Sequence, residues 1–173
     1  MAERTPQEQL RGHVSSDIAC LQSLHEVHGW TPSSESIRPS PETMAKKALL
    51  LERLKRFYRS PVDYIFEEIF GLESDMDDAG RLFVPALKAD ADLRVLAPQG
   101  FPYDLPEGTN HSVMWYTKRP QGEQIEHIIE ADIVEHLERH LKHTDFQFIC
   151  YENPKMTIPE IYHVQVFWRT VLR

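Results

Sequence analysis

The sequence has little cysteine and glycine and no surplus of positive charge. Its 173 residues include two cysteines and seven glycines, and the formal net charge is -8. Cys20 and Cys150 are too few for a disulfide framework and lack the paired spacing of a zinc site. Because the binding surfaces for nucleic acids and anionic membranes are basic, the negative charge argues against both as main partners.

Long apolar runs are also missing. No stretch approaches the about 18 consecutive apolar residues of a transmembrane helix, and the N-terminus lacks the apolar segment of a secretion signal. Neither a glycine-rich phosphate loop nor a dinucleotide fingerprint is present, and no cofactor is expected. A hydrophobic content of 41% suffices for one domain with a proper core. We therefore expect a soluble, cytoplasmic protein whose partner is a small molecule.

The N-terminal region differs in texture from the rest of the chain. A helical pattern over residues 18–27 is followed by a segment rich in Ser, Pro and Glu, which is typical of a linker or surface loop. We interpret residues 1–40 as an N-terminal arm and linker and residues 41–173 as a single domain. Ser40 and Ser60 each precede a proline, which predicts an N-cap and a helix start at both positions. These two helices are expected to form a hairpin.

The two predicted helices carry charges of opposite sign. The first is rich in basic residues, namely Lys46, Lys47, Arg53, Lys55, Arg56 and Arg59. Acidic residues lie on or after the second. Two solvated faces that attract each other weakly are the simpler interpretation. The alternative is that the basic helix borders a site for an anionic ligand.

The C-terminal two-thirds alternates between strand and helix patterns. Strand-forming runs occur at residues 82–84, 93–96, 111–118, 146–151 and 161–168, and the longest helical pattern covers about 123–143. This order predicts an α+β fold, an antiparallel sheet with a long crossing helix, preceded by the N-terminal helical region.

The last strand carries polar groups on one face. Because side chains alternate along a strand, one face receives Ile161, His163, Gln165 and Phe167. The other face receives Tyr162, Val164, Val166 and Trp168, and is apolar enough to pack on helices. His163 and Gln165 should lie about 7 Å apart on the same face. A core strand has no evident need for that pair.

The long helix carries several histidines, of which His136 and His140 are four residues apart and so on one side of the helix. A zinc protease motif needs glutamate directly after the first histidine, and Leu137 stands there instead. We expect an exposed, histidine-rich helix edge, which also includes His127 and His143, and no metal site.

Several phrases of the chain resemble a largely fungal family named for an N-acetylglucosamine-induced protein. They are residues 101–106 (Phe-Pro-Tyr-Asp-Leu-Pro), His111 with Trp115, Asn153 with Pro154, and residues 158–167. The likeness covers roughly residues 45–170. It implies no particular reaction, because the domain has no established function.

More distantly, residues 113–167 are similar to the histidine-triad superfamily, in which a strand, a long helix, a strand and a His-x-His-x-His strand follow one another. In its uridylyltransferase branch the third position is glutamine. The resemblance implies that His163 is the nucleophilic histidine, that Gln165 binds the α-phosphate oxygens, and that Asn153 matches an asparagine of the preceding strand. The first histidine of the motif is replaced by Ile161. The resemblance also favours a homodimer.

Three functions follow as hypotheses. The first is an enzyme of phosphoryl or nucleotidyl transfer or hydrolysis, with His163 as nucleophile and Gln165 as a phosphoryl-oxygen ligand. The second is an acid–base enzyme on a phosphate-free organic substrate, in which His111 assists His163. The third is a non-catalytic binding or stress-response protein. The remaining candidate substrate-binding residues are Asn153, Trp115, Tyr103, Lys118 and Tyr162, and either glutamate near His163, Glu152 or Glu160, is a candidate to orient its ring, as is a backbone carbonyl.

Overall fold

The computed structural model describes residues 14–15, 18–33, 35, 37–142, 145–153 and 156–171. The helices of this part of the chain are α1 (Ile18–His28), α2 (Pro41–Phe57), α3 (Pro61–Glu68), α4 (Ala86–Ala89) and α5 (Ile125–Leu141). The strands are β1 (Val14–Ser15), β2 (Asp75–Met76), β3 (Leu82–Phe83), β4 (Arg94–Pro98), β5 (Asn110–Tyr116), β6 (Phe146–Tyr151) and β7 (Tyr162–Thr170). The predicted α+β class is confirmed.

Five strands form the main sheet in the order β1-β6-β7-β5-β4. The pairs β4–β5, β5–β7 and β6–β7 are antiparallel, as predicted. Strand β1 adds to the edge in the parallel direction, and its two residues are too short to produce a recognisable sequence pattern. Strands β2 and β3 form a separate small hairpin. The last strand, β7, therefore lies at the centre of the sheet.

Helix α5 covers one face of this sheet and forms the main core with it. The predicted apolar side of β7 faces this helix, where Val164 and Val166 pack with Ile129, Ile133 and Leu137. All five side chains are almost fully buried. The period of two along β7 and the helical period along α5 both predicted this contact.

The opposite face of the sheet is also covered, but by smaller elements. Near the start of β7, Ile65 of α3 packs with Val113, Trp115 and Ile161. Near the other end, Trp30 packs with Ile149, Tyr151 and Phe167. The polar residues that the sequence places on this face of β7 consequently lie in the interior between two apolar clusters.

Helices α2 and α3 begin where the Ser-Pro pairs predicted. The Ser40 hydroxyl accepts a hydrogen bond from the Thr43 N–H, and the Ser60 hydroxyl accepts one from the Asp63 N–H. Ser60 also donates to the Asp63 carboxylate at 2.6 Å, and the other carboxylate oxygen accepts from the Val84 N–H at 2.9 Å. Both helix starts are fixed by local side-chain chemistry.

The segment before residue 40 packs against the sheet in the part that is described. Leu24 of α1 contacts the cluster around Trp30, and the Trp30 carbonyl accepts a hydrogen bond from Thr109. The division into residues 1–40 and 41–173 stays a prediction. None of the helices in the described residues is long and apolar enough to span a bilayer.

Candidate functional site

His163 lies on the polar face of β7. Among the described residues, one of its ring nitrogens forms a hydrogen bond and the other forms none. Its side chain is 6% exposed. Nδ1 lies 2.8 Å from the Ile161 carbonyl oxygen, which can only accept a hydrogen bond, so Nδ1 carries the proton and a neutral ring has its lone pair on Nε2. Among the described residues, Nε2 has no hydrogen-bond partner. It is also not one of the fully buried side-chain nitrogen and oxygen atoms that lack a partner.

Burial favours the neutral form of this ring. Burial lowers the pKa of His163, and the bond to the Ile161 carbonyl and the charge of Glu152 oppose that effect only in part. A backbone carbonyl therefore orients the ring, which was one of the alternatives that the sequence left open. Glu152 acts on it through its charge.

Gln165 and His111 are joined by a short hydrogen bond. His111 Nε2 lies 2.6 Å from Gln165 Oε1, and the Tyr103 backbone N–H donates to His111 Nδ1 at 3.1 Å. Gln165 Oε1 also accepts from the Gln99 carboxamide at 3.3 Å. Burial lowers the pKa of His111 to about 4. The structure thus brings Gln165 and His111 together, with both ring nitrogens of His111 engaged.

Aromatic rings surround the two histidines. Trp115 stands opposite His163 on the neighbouring strand and stacks on its ring, with centroids 4.4 Å apart. Tyr103 lies beside His111 at 4.7 Å between ring centroids, and its hydroxyl bonds that of Tyr151 at 3.2 Å. Trp115 and Tyr103 both contact the candidate site; Trp115 is also a core residue, and Tyr103 packs against the core as a partly buried residue.

Asn153 follows β6 two residues after its last paired position, whereas the Lys118 side chain has a surface partner. The β6–β7 register pairs Tyr151 with Gln165, so its continuation by two residues would bring Asn153 level with His163. The Lys118 ammonium group lies 3.0 Å from the Asp90 carboxylate on the surface.

Tyr162 belongs to a small polar cluster at the start of β7. Its hydroxyl donates to Glu152 at 3.1 Å, and the Arg119 guanidinium lies 4.7 Å from the centre of its ring. Arg119 also approaches Glu152 at 3.7 Å. Burial, followed by the charge of Glu152, raises the pKa of Tyr162. By strand alternation Tyr162 points to the α5 face, away from the face of His163.

The helix histidines do not assemble a metal centre in the described residues, where no group of three or more His, Cys, Asp or Glu side chains is placed to hold one. His136 places Nδ1 2.8 Å from the Asp132 carbonyl and Nε2 3.2 Å from the Arg94 carbonyl. His140 is exposed and contacts the edge of Trp168. His143 lies outside the described residues.

Two residues with contacts at or near the site were not predicted from the sequence: Gln99 bonds Gln165, and Lys47 bonds the loop before β7. Gln99 lies in the connection after β4 and reaches the site only through the folded turn. Lys47 of α2 donates to the Thr157 hydroxyl at 3.3 Å, in the loop that leads into β7. The basic character of α2 was recognised, but no sequence signal distinguishes Lys47 from its neighbours.

No family model and no curated protein sequence matches the chain. A comparison with solved structures finds a likeness to one described as "Crystal Structure of HTC1". The two are 14% identical, the match covers 94% of this chain and 87% of that chain, and the TM-score is 0.45. A likeness at this level does not assign a family or a function.

Proposed function

We propose that the protein is a small cytoplasmic enzyme in which His163 acts as nucleophile or general base on a phosphorylated small molecule or nucleotide. The observation that carries this proposal is the state of the His163 ring. Its Nδ1–H is bound to the Ile161 carbonyl, and its Nε2 has no partner among the described residues. A neutral imidazole oriented in this way has the lone pair that attack on phosphorus requires.

Gln165 supports the phosphate part of the proposal. Its Oε1 accepts from His111 and Gln99, so its amide nitrogen is left to donate. An amide N–H that is already oriented stabilises negative charge on a phosphoryl oxygen without reorganisation. In the proposed step the bond from His163 Nε2 to phosphorus forms while the bond from phosphorus to the leaving oxygen breaks. Water or an alcohol then attacks phosphorus, the bond from phosphorus to Nε2 breaks to restore His163, and the proton of the attacking hydroxyl passes to the leaving oxygen or to solvent.

Positive charge near the start of β7 also favours an anionic substrate. Lys47 reaches Thr157 in the loop before that strand and forms no ion pair with a described residue. Its neighbours Lys46 and Lys55 are paired with Glu42 and Glu52. Lys47, rather than Lys118, is therefore the cation that we expect to approach a phosphate.

A second function, acid–base chemistry on a phosphate-free substrate, is favoured by Glu152. Its carboxylate is near enough to raise the pKa of His163 against the effect of burial, and it would repel a phosphate. Its charge is partly offset by Arg119 at 3.7 Å. The stacked Trp115 ring would suit an apolar substrate.

The two functions can be separated by combining ligand binding with detection of a covalent intermediate. Wild type, His163→Asn and His140→Asn are screened by thermal shift with nucleotides, nucleotide sugars, sugar phosphates and small aromatic acids. Positive ligands are then incubated with the protein and examined by intact-mass spectrometry at alkaline pH, where phosphohistidine survives. Asparagine at position 163 keeps a donor for the Ile161 carbonyl but lacks Nε2. His140→Asn is the control, because it removes an exposed histidine on another face of the protein.

We expect a phosphorylated ligand to stabilise wild type and His140→Asn, and to leave a phosphoryl or nucleotidyl mass only when His163 is present. Stabilisation by phosphate-free compounds alone would replace this proposal with the acid–base function. If none of the ligands binds, the non-catalytic hypothesis takes its place.

A further inference from the structure

A closed set of hydrogen bonds joins the turn after β4 to the centre of β7. The Phe101 N–H donates to Gln99 Oε1 at 3.3 Å, and the Gln99 carboxamide donates to Gln165 Oε1 at 3.3 Å. The Tyr103 N–H also bonds His111, and His111 bonds the same Oε1. The carboxamide of Gln165 is thus held by groups from β5 and from the turn.

The donors and acceptors of this network have one consistent assignment. A backbone N–H can only donate, so His111 Nδ1 is the acceptor in its 3.1 Å contact with Tyr103. The neutral ring then carries its proton on Nε2 and donates to Gln165 Oε1 at 2.6 Å. His163 has the opposite tautomer, since its Nδ1 donates to a carbonyl.

This assignment determines which way the Gln165 carboxamide faces. Two donors fix its oxygen on the side of His111, which stands opposite Phe167 in the sheet register. The amide nitrogen is therefore turned away from the Phe167 end of β7. This nitrogen has no hydrogen-bond partner among the described residues. Like His163 Nε2, it is not one of the fully buried side-chain atoms that lack a partner. A donor and a lone pair thus remain available two residues apart on the same strand face.

We propose that His111 is a positioning residue that orients the Gln165 carboxamide so that its N–H groups meet a phosphoryl oxygen of the substrate. This inference rests on the proposed function of His163 and Gln165. It assigns His111 a role through Gln165, in place of direct acid–base chemistry, because both of its ring nitrogens are already used. Gln99, which lies next to His111 across the β4–β5 ladder, has the same role through its bond to the same Oε1.

A purely structural role for His111 would depend on its hydrogen bond with the Tyr103 N–H rather than on its bond with Gln165. In that case its function would be to accept the Tyr103 N–H and hold the turn, and the bond to Gln165 would be incidental. Two substitutions distinguish these roles. His111→Gln can place an amide N–H near the former Nε2 and keep the bond to Gln165, whereas His111→Asn can place an amide oxygen near the former Nδ1 and keep the bond to Tyr103.

The experiment uses the full chain, labelled with nitrogen-15, and inorganic phosphate as the probe. Long-range proton–nitrogen correlation spectra report the tautomers of His111 and His163 in wild type. Side-chain NH2 signals of Gln165 are followed in wild type, His111→Gln and His111→Asn, without phosphate and during a phosphate titration. Backbone spectra check that each variant is folded.

We expect His111 to be protonated on Nε2, and we expect the Gln165 NH2 signals to be retained in His111→Gln and displaced in His111→Asn. Phosphate should bind His111→Asn about tenfold more weakly than wild type, which is the effect of one misplaced hydrogen bond. His111 protonated on Nδ1 would overturn the inference, as would displacement of the Gln165 signals in His111→Gln alone. If phosphate leaves wild type unchanged, the phosphate function fails, and the phosphate-free spectra of the two variants still decide the positioning role.

Discussion

Acid should destabilise this protein through His111 more than through an ordinary histidine. Burial lowers the pKa of His111 to about 4 in the folded state, from an ordinary value of 6.5. Between these two values the unfolded chain binds a proton that the folded protein does not. Stability from this group is therefore complete above about pH 6.5 and is lost as the pH falls towards about 4.

The size of the effect follows from the difference between the two pKa values. At about 1.36 kcal/mol per pKa unit, the loss approaches about 3 kcal/mol, and most of it has occurred at about pH 4.5. The structural cause is that protonation of Nδ1 would remove the acceptor of the Tyr103 N–H and place a charge in the interior. His163 should add a loss of the same sign, because burial lowers its pKa as well.

The assay is urea unfolding followed by circular dichroism at about pH 7.5 and about pH 4.5, on wild type and on His111→Asn. Carboxylates and His163 contribute equally to both proteins, so the difference between the two pH effects isolates His111. We expect wild type to lose about 2 to 3 kcal/mol more than the variant. His140→Asn, at an exposed position of α5, controls for the loss of a histidine in general. Equal losses in wild type and His111→Asn would refute the reasoning.

Three further predictions concern the fold. Asp63→Ala should cost about 1 to 3 kcal/mol in thermal or urea unfolding, because the buried Val84 N–H loses its acceptor, while Asp63→Asn should recover part of it. Ile133→Ala should cost about 2 to 5 kcal/mol because the side chain is fully buried, against about 0.5 kcal/mol or less for Leu87→Ala, which is 92% exposed; similar values would contradict the described core. Burial raises the pKa of the Cys150 thiol, so in a Cys20→Ser background iodoacetamide should modify Cys150 only after unfolding, as measured by mass spectrometry; rapid labelling of the folded protein would show that this strand is open.

The sequence predicted the elements whose patterns are local. Ser40 and Ser60 revealed the helix starts because N-capping involves only residues within one turn. The alternation along β7 correctly separated Val164 and Val166 from His163 and Gln165, since a strand with one face on a helix must follow a period of two.

The rest depends on contacts between distant segments. Ile65 and Trp30 cover the second face of the sheet, and neither lies in a pattern that indicates a position over β7. The partner of Lys118 is Asp90, one of many acidic residues that a surface lysine can meet. Gln99 is recognised only when the turn is folded onto His111, because a glutamine in a connection has no distinctive sequence context.

The central position of β7 has a consequence for how the chain folds. This strand joins β5 to β6, so a nascent chain that has not yet exposed residues 162–170 contains two incomplete sheet fragments. Each fragment has an apolar face and an unpaired edge, which are the features that promote aggregation of folding intermediates. The five-stranded sheet is complete only when residues 162–170 insert between the two fragments.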